Sequence, residues 1–293
     1  MFPAPRAWLA TGMAFGLTAC TSIGTTPALP QLAPAQPAAL RDCTALAAFA
    51  FPNTVITAAR LVPAGTLNNA GQPVAEHCQV TGQMNRRTSA VDGQAYAIGF
   101  EMRLPRDWQG RFLYQANGGT DGVVATADGG NAMGSGGLLR HALQRGFAVI
   151  SSDAGHTMAQ NPLFGLDPDA RRDYGYRAIG TLTPMAKALI RAAYGKGPDR
   201  AYIAGTSNGG RQALAAAARY PGEFDGVMAN APGIHLPKAA MANLSHVKRW
   251  DTVVTTRVVN GLPDYESALP VAERRVIANA ILARCDALDG LAD

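Results

Sequence analysis

Apolar and polar residues alternate over 96–104 (YAIGFEMRL), which predicts a strand buried on one face. Residues 111–115 (RFLYQ) predict a second short strand. Residues 147–152 (FAVISS) are apolar almost throughout and predict a third, covered on both faces. Over 174–194 the apolar residues Ile179, Leu182, Ala186, Leu189 and Ile190 recur at helical spacing, and Gly195 stops the helix. A strand at 201–204, a turn, an alanine-rich helix at 211–220 and a strand at 226–229 come next. Strands alternating with helices imply βαβ units, hence an α/β fold on a mostly parallel sheet. From about His235 the alternation stops. Trp250, a Thr/Val run at 252–259, Pro263 and a helix-like stretch at 271–284 read instead as the start of an insertion.

Composition narrows the classes. Of 293 residues, 47% are apolar and 16% charged, which excludes a disordered chain or a coiled coil and leaves ample chain for a core. The net charge is +5, but no basic stripe is interleaved with aromatics, so nucleic acid is not an expected partner. At the N-terminus a single basic residue, Arg6, precedes an apolar run over 7–17 and then Leu17-Thr18-Ala19-Cys20. That order predicts a secretory signal peptide over 1–20, too short to span a bilayer. Small residues just before Cys20 resemble a bacterial lipobox, which would make Cys20 a lipidated anchor in the membrane; ordinary cleavage with Cys20 incidental is the alternative. Residues 21–40, rich in Ala, Pro and Gln, read as an exposed tether. The expected location is periplasmic or an outer-membrane lipoprotein, otherwise secreted. Export permits disulfides. Cys43, Cys78 and Cys285 remain; Cys43 and Cys78 are close enough in sequence to pair, which leaves Cys285 alone.

The chemistry is carried by Gly205-Thr206-Ser207-Asn208-Gly209-Gly210-Arg211, between a predicted strand and a predicted helix. It fits G-x-S-x-G, in which a sharp strand-to-helix turn lifts a serine hydroxyl above the sheet and small residues on either side avoid collision. The N–H of Asn208 then faces a developing oxyanion. The plainer alternative is a helix start merely capped by Ser207. A second oxyanion donor is expected from Asn117-Gly118-Gly119-Thr120-Asp121-Gly122, a loop after an earlier strand whose paired glycines let backbone approach a substrate. A P-loop is not indicated, since no Gly-Lys-Ser/Thr comes after these glycines. No triad base or acid can be named from the residues. Asp153 and His156 precede Ser207 and read as strand-end scaffold. His235 reads as a loop residue, His246 falls in the insertion, and Asp225 sits at a strand start.

With these residues in view, the sequence resembles the tannase and feruloyl esterase family of α/β-hydrolases, which also contains the mono-(hydroxyethyl)terephthalate hydrolases. The likeness runs from about Cys43 to Asp293. It rests on Cys43 and Cys78, Asn117-Gly118-Gly119, Ser152-Asp153-Ala154-Gly155-His156, residues 205–212, Arg219-Tyr220-Pro221, Phe224-Asp225-Gly226, Asn230-Ala231-Pro232 and the segment 285–293. It implies an α/β-hydrolase core over 41–234, incomplete here, and the start of a lid over 235–293. It implies Ser207 as nucleophile, with the Asn208 and Gly119 N–H groups as oxyanion donors. It also implies a structural Ca²⁺ held by Asp286, Asp289, the Leu291 carbonyl and Asp293, hard oxygens that suit that ion; no organic cofactor is expected. Thr206 stands where many members have a cysteine. The family's catalytic Asp and His would lie beyond Asp293, so the chain reads as the N-terminal part of a longer protein, inactive by itself.

The function expected of the complete protein is a serine esterase that takes a small-molecule ester of an aromatic (hydroxybenzoic or hydroxycinnamic) acid through an acyl-enzyme. Hydrolysis of aliphatic oligoesters is the alternative within the class. A non-catalytic surface lipoprotein that keeps the scaffold is the alternative outside it.

Overall fold

The computed structural model describes residues 33–69, 71–130, 141–258 and 261–290. The signal peptide, Cys20 and most of the expected tether therefore lie outside the described residues. The chain divides after Pro34, and the sheet and its helices all belong to the unit Ala35–Asp293.

Seven strands make one sheet: β1 (Thr54–Val62), β2 (His77–Thr88), β3 (Ala95–Pro105), β4 (Arg111–Ala116), β5 (Phe147–Ser152), β6 (Arg200–Thr206) and β7 (Gly226–Asn230). Their spatial order is β7-β6-β4-β5-β3-β2-β1. The pairs β7·β6, β6·β4 and β4·β5 are parallel. The pairs β5·β3, β3·β2 and β2·β1 are antiparallel. The parallel half is the one the apolar pattern predicts, and the arrangement is that of an α/β-hydrolase core. The sheet as a whole is mixed, because three N-terminal strands extend it by antiparallel pairing.

Helix α1 (Ala178–Tyr194) crosses one face of the sheet. Ile179, Leu182, Met185, Ala186, Leu189 and Ile190 on its apolar stripe pack with Ile98, Phe100 and Met102 of β3, Phe112 and Tyr114 of β4, and Ile150 of β5. Each such large side chain contributes about 1.5–3 kcal/mol when fully buried. The helix ends at Gly195, whose φ of 81° gives the left-handed stop that the sequence marks. At the foot of the sheet Trp108 stacks on Tyr194 with ring centroids 4.5 Å apart and donates its Nε1–H to the Arg111 carbonyl.

The expected tether ends sooner than composition suggests. Ala38 and Ala39 pair antiparallel with Trp108 and Asp107, and the Leu40 N–H donates to the Arg106 carbonyl at 2.8 Å. These are backbone bonds, indifferent to an Ala/Pro-rich composition, so residues 38–40 belong to the folded unit. Cys43 and Cys78 form a disulfide that ties the segment before β1 to β2, and Cys285 is free and exposed.

Helix α2 (Asn208–Arg219) packs against β6 and β7. Beyond β7 the chain turns helical instead of adding to the sheet. The two longer helices there are α3 (Leu236–Asp251) and α4 (Val271–Cys285), and neither buries a residue. Among the described residues no helix is long and apolar enough to cross a membrane.

Candidate active site

The parallel register brings the carboxyl ends of β4, β6 and β7 level: Gly205 lies beside Ala116 on one side and Ala229 on the other. Loops leaving those ends therefore meet on one edge of the sheet, the usual place for a site in an open α/β fold. From β6 the chain reverses at Ser207 and enters α2 at once. Ser207 has φ 59° and ψ −118°, a conformation that costs an L-residue about 1–3 kcal/mol. Backbone bonds hold it there. Its N–H donates to the Asn230 carbonyl, and its carbonyl accepts from the Arg211 and Gly233 N–H groups, each at 3.0 Å. The side chain is exposed and gives α2 no cap, so the hydroxyl is not spent as the plainer alternative would have it. Space explains the flanking glycines. A Cβ on Gly205 would strike the Gly209 backbone, and one on Gly209 would strike the Ala116 carbonyl.

The loop 117–122 is tied down at both ends. Asn117 is buried; its Nδ2 donates to Ser151 Oγ at 3.0 Å and to the Ser152 carbonyl at 2.8 Å, while its Oδ1 accepts from Gln115 at 3.1 Å. At the far end the Gly122 N–H donates to the Asp153 carbonyl and the Gly122 carbonyl accepts from Met158. Between them Gly118, Gly119 and Thr120 are exposed, and Gly119 has φ 67°, where a Cβ would be strained.

Two side chains join this loop to the elbow. Asn208, buried at the head of α2, donates its Nδ2–H to Asp121 Oδ2 at 2.6 Å. Its Oδ1 accepts from the Tyr174 hydroxyl at 3.0 Å and from Arg211 Nε at 2.8 Å. Gln212 Nε2, one turn further along α2, donates to the same Asp121 oxygen at 2.6 Å. The other oxygen, Asp121 Oδ1, is buried with no hydrogen-bond partner. Burial pushes the Asp121 carboxyl up to about 7, against the pull of Asn208, the Arg211 charge and Gln212. None of these ties leaves a mark in the sequence, where Asn208 figures only as a backbone donor and Asp121 only as part of a glycine loop.

A family model described as tannase and feruloyl esterase matches residues 78–293. The chain belongs to that family. It is 36% identical over 253 residues to a mono(2-hydroxyethyl) terephthalate hydrolase of Piscinibacter sakaiensis, a match that covers 83% of this chain and 41% of the relative. It is 35% identical over 193 residues to a probable feruloyl esterase B-1 of Aspergillus fumigatus, covering 66% and 33% respectively. Among solved structures, feruloyl esterase B from Aspergillus oryzae superposes with a TM-score of 0.64 at 27% identity, over 86% of this chain and 47% of that one. The chain thus spans less than half the length of these relatives.

The remaining candidate residues of this tannase and feruloyl esterase chain lie apart from Ser207 or serve the scaffold. Asp153 closes the turn after β5, its Oδ1 accepting from the Gly99 and Gly155 N–H groups at 2.9 Å, and burial pushes its carboxyl up to about 7. His156 is buried against Phe164, ring centroids 3.7 Å apart, with Tyr174 edge-on at 5.9 Å; burial holds its imidazole below its ordinary value. Asp225 accepts from the Ala201 N–H at 2.7 Å, at the start of β6 and so at the opposite end of the sheet from Ser207. His235 precedes α3 in a left-handed conformation, and His246 lies exposed on α3. His141, which no motif marks, pairs with Asp128 at 3.1 Å. His77 is buried between the Ala75 carbonyl and Arg103. No hydrogen bond joins any of these histidines to Ser207 among the described residues. Asp286 and Asp289 open and close one helical turn ended by Gly290 at φ 89°, whereas Leu291 and Asp293 lie outside the described residues. Among the described residues no three His, Cys, Asp or Glu side chains gather as a metal site.

Proposed function

We propose that the protein hydrolyses carboxylic esters of aromatic acids with Ser207 as nucleophile. The observation that carries this is the elbow itself: a serine held in a strained conformation by three backbone hydrogen bonds, its hydroxyl exposed and uncommitted. A fold has no stability reason to keep such a turn. The names of the relatives, a terephthalate half-ester hydrolase and feruloyl esterases, support an aromatic acyl group.

In this reading Ser207 Oγ attacks the ester carbonyl carbon and its proton passes to a base. The carbonyl oxygen becomes an oxyanion, and the Asn208 and Gly119 N–H groups are the donors proposed to receive it. Collapse of the tetrahedral intermediate breaks the C–O bond to the alcohol, which leaves with the proton, and water then releases the acid from Ser207. The base and its orienting acid are proposed to come from chain beyond Asp293, in keeping with the resemblance and with the positions of the five histidines. Export, with lipidation at Cys20, belongs to the same proposal.

A structural calcium ion fits the chemistry of the proposed donor set. Asp286 and Asp289 would offer hard carboxylate oxygens, and Leu291 and Asp293 would complete the ligands. Its contribution would be to hold the start of the lid rather than to take part in the reaction.

The test is an ester panel on the full-length natural polypeptide, wild type and Ser207→Ala, with a fluorophosphonate label read by mass. Hydrolysis of methyl ferulate or mono(2-hydroxyethyl) terephthalate, with label and turnover both lost in Ser207→Ala, is the expected result. Turnover confined to hydroxyalkanoate oligomers would overturn the aromatic assignment, and turnover unchanged in Ser207→Ala would overturn the site.

A further inference from the structure

We propose that Asp121 is the positioning residue of the oxyanion hole: one buried carboxylate oxygen fastens the loop that carries Gly119 to the helix head that carries Asn208. The proposal rests on the reading of Ser207 as nucleophile with those two N–H donors. The donors belong to chain segments far apart in sequence, and an oxyanion is stabilised only if both N–H groups point at one place. Strand pairing sets β4 and β6 side by side only as far as Ala116 and Gly205. Past those residues the donors stand on loop and turn, where an added constraint is needed.

Asp121 Oδ2 supplies it. The two short links between the segments, from Asn208 Nδ2 and Gln212 Nε2, both at 2.6 Å, end on this one atom. A further contact, Asn208 Nδ2 to the Asn117 carbonyl, is 3.4 Å. The orientation of the Asn208 amide is not free either, since its Oδ1 already accepts from Tyr174 and Arg211. Arg211 is itself held by the Gly175 and Tyr174 carbonyls. The amide nitrogen therefore faces Asp121, and through it the head of α2 is tied to the loop. The arrangement is costly: Asp121 sits at φ 57° and leaves Oδ1 buried without a partner. Buried polar atoms without partners are rare and call for a reason beyond packing. Registration of two donors is such a reason, because a displacement of about 1 Å at a reacting centre can cost about 10²-fold in rate. Asp121 touches no reacting atom in this scheme; it acts through the segments it joins.

The experiment measures kcat and KM for p-nitrophenyl butyrate, and inhibition by phenylboronic acid, on the full-length natural polypeptide and its Asp121→Ala, Asp121→Asn and Gln212→Leu variants. Phenylboronic acid bonded to Ser207 is tetrahedral and places an oxygen where the oxyanion forms. Asp121→Ala is expected to lower kcat about 10- to 100-fold with KM within about threefold, and to weaken phenylboronic acid by a similar factor. Asp121→Asn keeps an oxygen that accepts from both amides and is expected to restore kcat to within about fivefold of wild type. Gln212→Leu removes one of the two links and is expected to lower kcat about three- to tenfold. A structural role alone would lower thermal stability and the amount of labelled Ser207 without separating kcat from KM. Asp121→Ala with kcat within about twofold of wild type overturns the proposal, as does a fall in kcat with phenylboronic acid binding unchanged. Where Asp121→Ala does not fold, Gln212→Leu decides, and unchanged kcat there overturns it as well. Hydrolysis that survives Ser207→Ala overturns the site reading and the proposal with it, a failure distinct from one confined to Asp121.

Discussion

Replacing Asp121 by Asn should change the pH dependence of stability in a way that can be worked out beforehand. The residue is 5% exposed, and its carboxyl is pushed from the ordinary 3.8 up to about 7 by burial. The folded state therefore holds the proton more tightly than the unfolded state does. Its contribution is fully present below pH 3.8 and is lost as pH rises through 7. With those two values the loss approaches about 4 kcal/mol in all, of which about 2–3 kcal/mol falls between about pH 5 and pH 8. Asn carries no charge, so the variant escapes this loss. The carboxyl of Asp153 is raised into the same range; its charge adds to the rise at Asp121, and that mutual repulsion is part of the difference measured.

Below about pH 4 the two proteins should be closest in stability, because a protonated Asp121 and an Asn both present an oxygen that accepts from Asn208 and Gln212. Between about pH 5 and pH 8 the variant should gain about 2–3 kcal/mol on the wild type, or about 5–10 °C in melting temperature for a chain of this size. Urea unfolding and thermal melts of wild type and Asp121→Asn at half-unit steps from about pH 5 to pH 8 would measure it. A difference that stays flat over that range, or that favours wild type increasingly as pH rises, refutes the reasoning.

Other perturbations probe other parts of the fold. Gly209→Ala sets a Cβ against the Ala116 carbonyl, which cannot swing away, and should cost about 1–3 kcal/mol in urea unfolding. Gly222→Ala, where nothing lies within 4 Å, should stay within about 0.5 kcal/mol of wild type. Removing the Cys43–Cys78 bridge by double substitution to Ser frees a loop of sequence separation 35 and should cost about 2–4 kcal/mol, read as a lower melting temperature without reductant present. Chelation with EDTA should lower the melting temperature of the full-length polypeptide, and Asp286→Ala should abolish that response; a melt indifferent to EDTA sinks the calcium reading.

A feature is legible in the sequence when it leaves a local trace. The elbow leaves one because a Cβ on Gly205 would strike the Gly209 backbone, a collision within five consecutive letters. Helix α1 buries a whole stripe and strands β4 to β6 bury most of their residues, and their apolar pattern shows it; β7 buries no residue and is marked only by its apolar letters. β1 and β2 escape a sequence reading for the opposite reason. β2 buries Gln79 beside Cys78 and Val80, because Gln79 meets Arg60 on one side and Glu101 on the other. Polar residues that satisfy one another across strands blur the alternation by which a strand is recognised. Residues 38–40 pass for tether because their attachment uses backbone groups, on which composition says nothing.

The Asp121 link is hidden by distance: 87 residues separate it from Asn208. Its members look unexceptional singly, an Asp before a glycine and an Asn at a helix start, both at home in turns. Their distinction is convergence in space, which the parallel register of β4 and β6 brings about. That register explains a division of labour in the site. Local sequence marks the nucleophile, since Gly205 must clear Gly209, while Ala116, Asn230 and Gly233 close on the same turn from other segments. The oxyanion donors are shaped by side-chain and backbone contacts among three separate stretches, 117–122, 174–175 and 208–212, because only tertiary contacts can align N–H groups on different loops. A substitution near Ser207 should therefore act through the strained turn and be felt as lost folding stability. One at Gln212 or Tyr174 should leave the turn intact and be felt in kcat, so those two ought to separate from the turn residues when stability and turnover are plotted against each other, with Asp121 moving both.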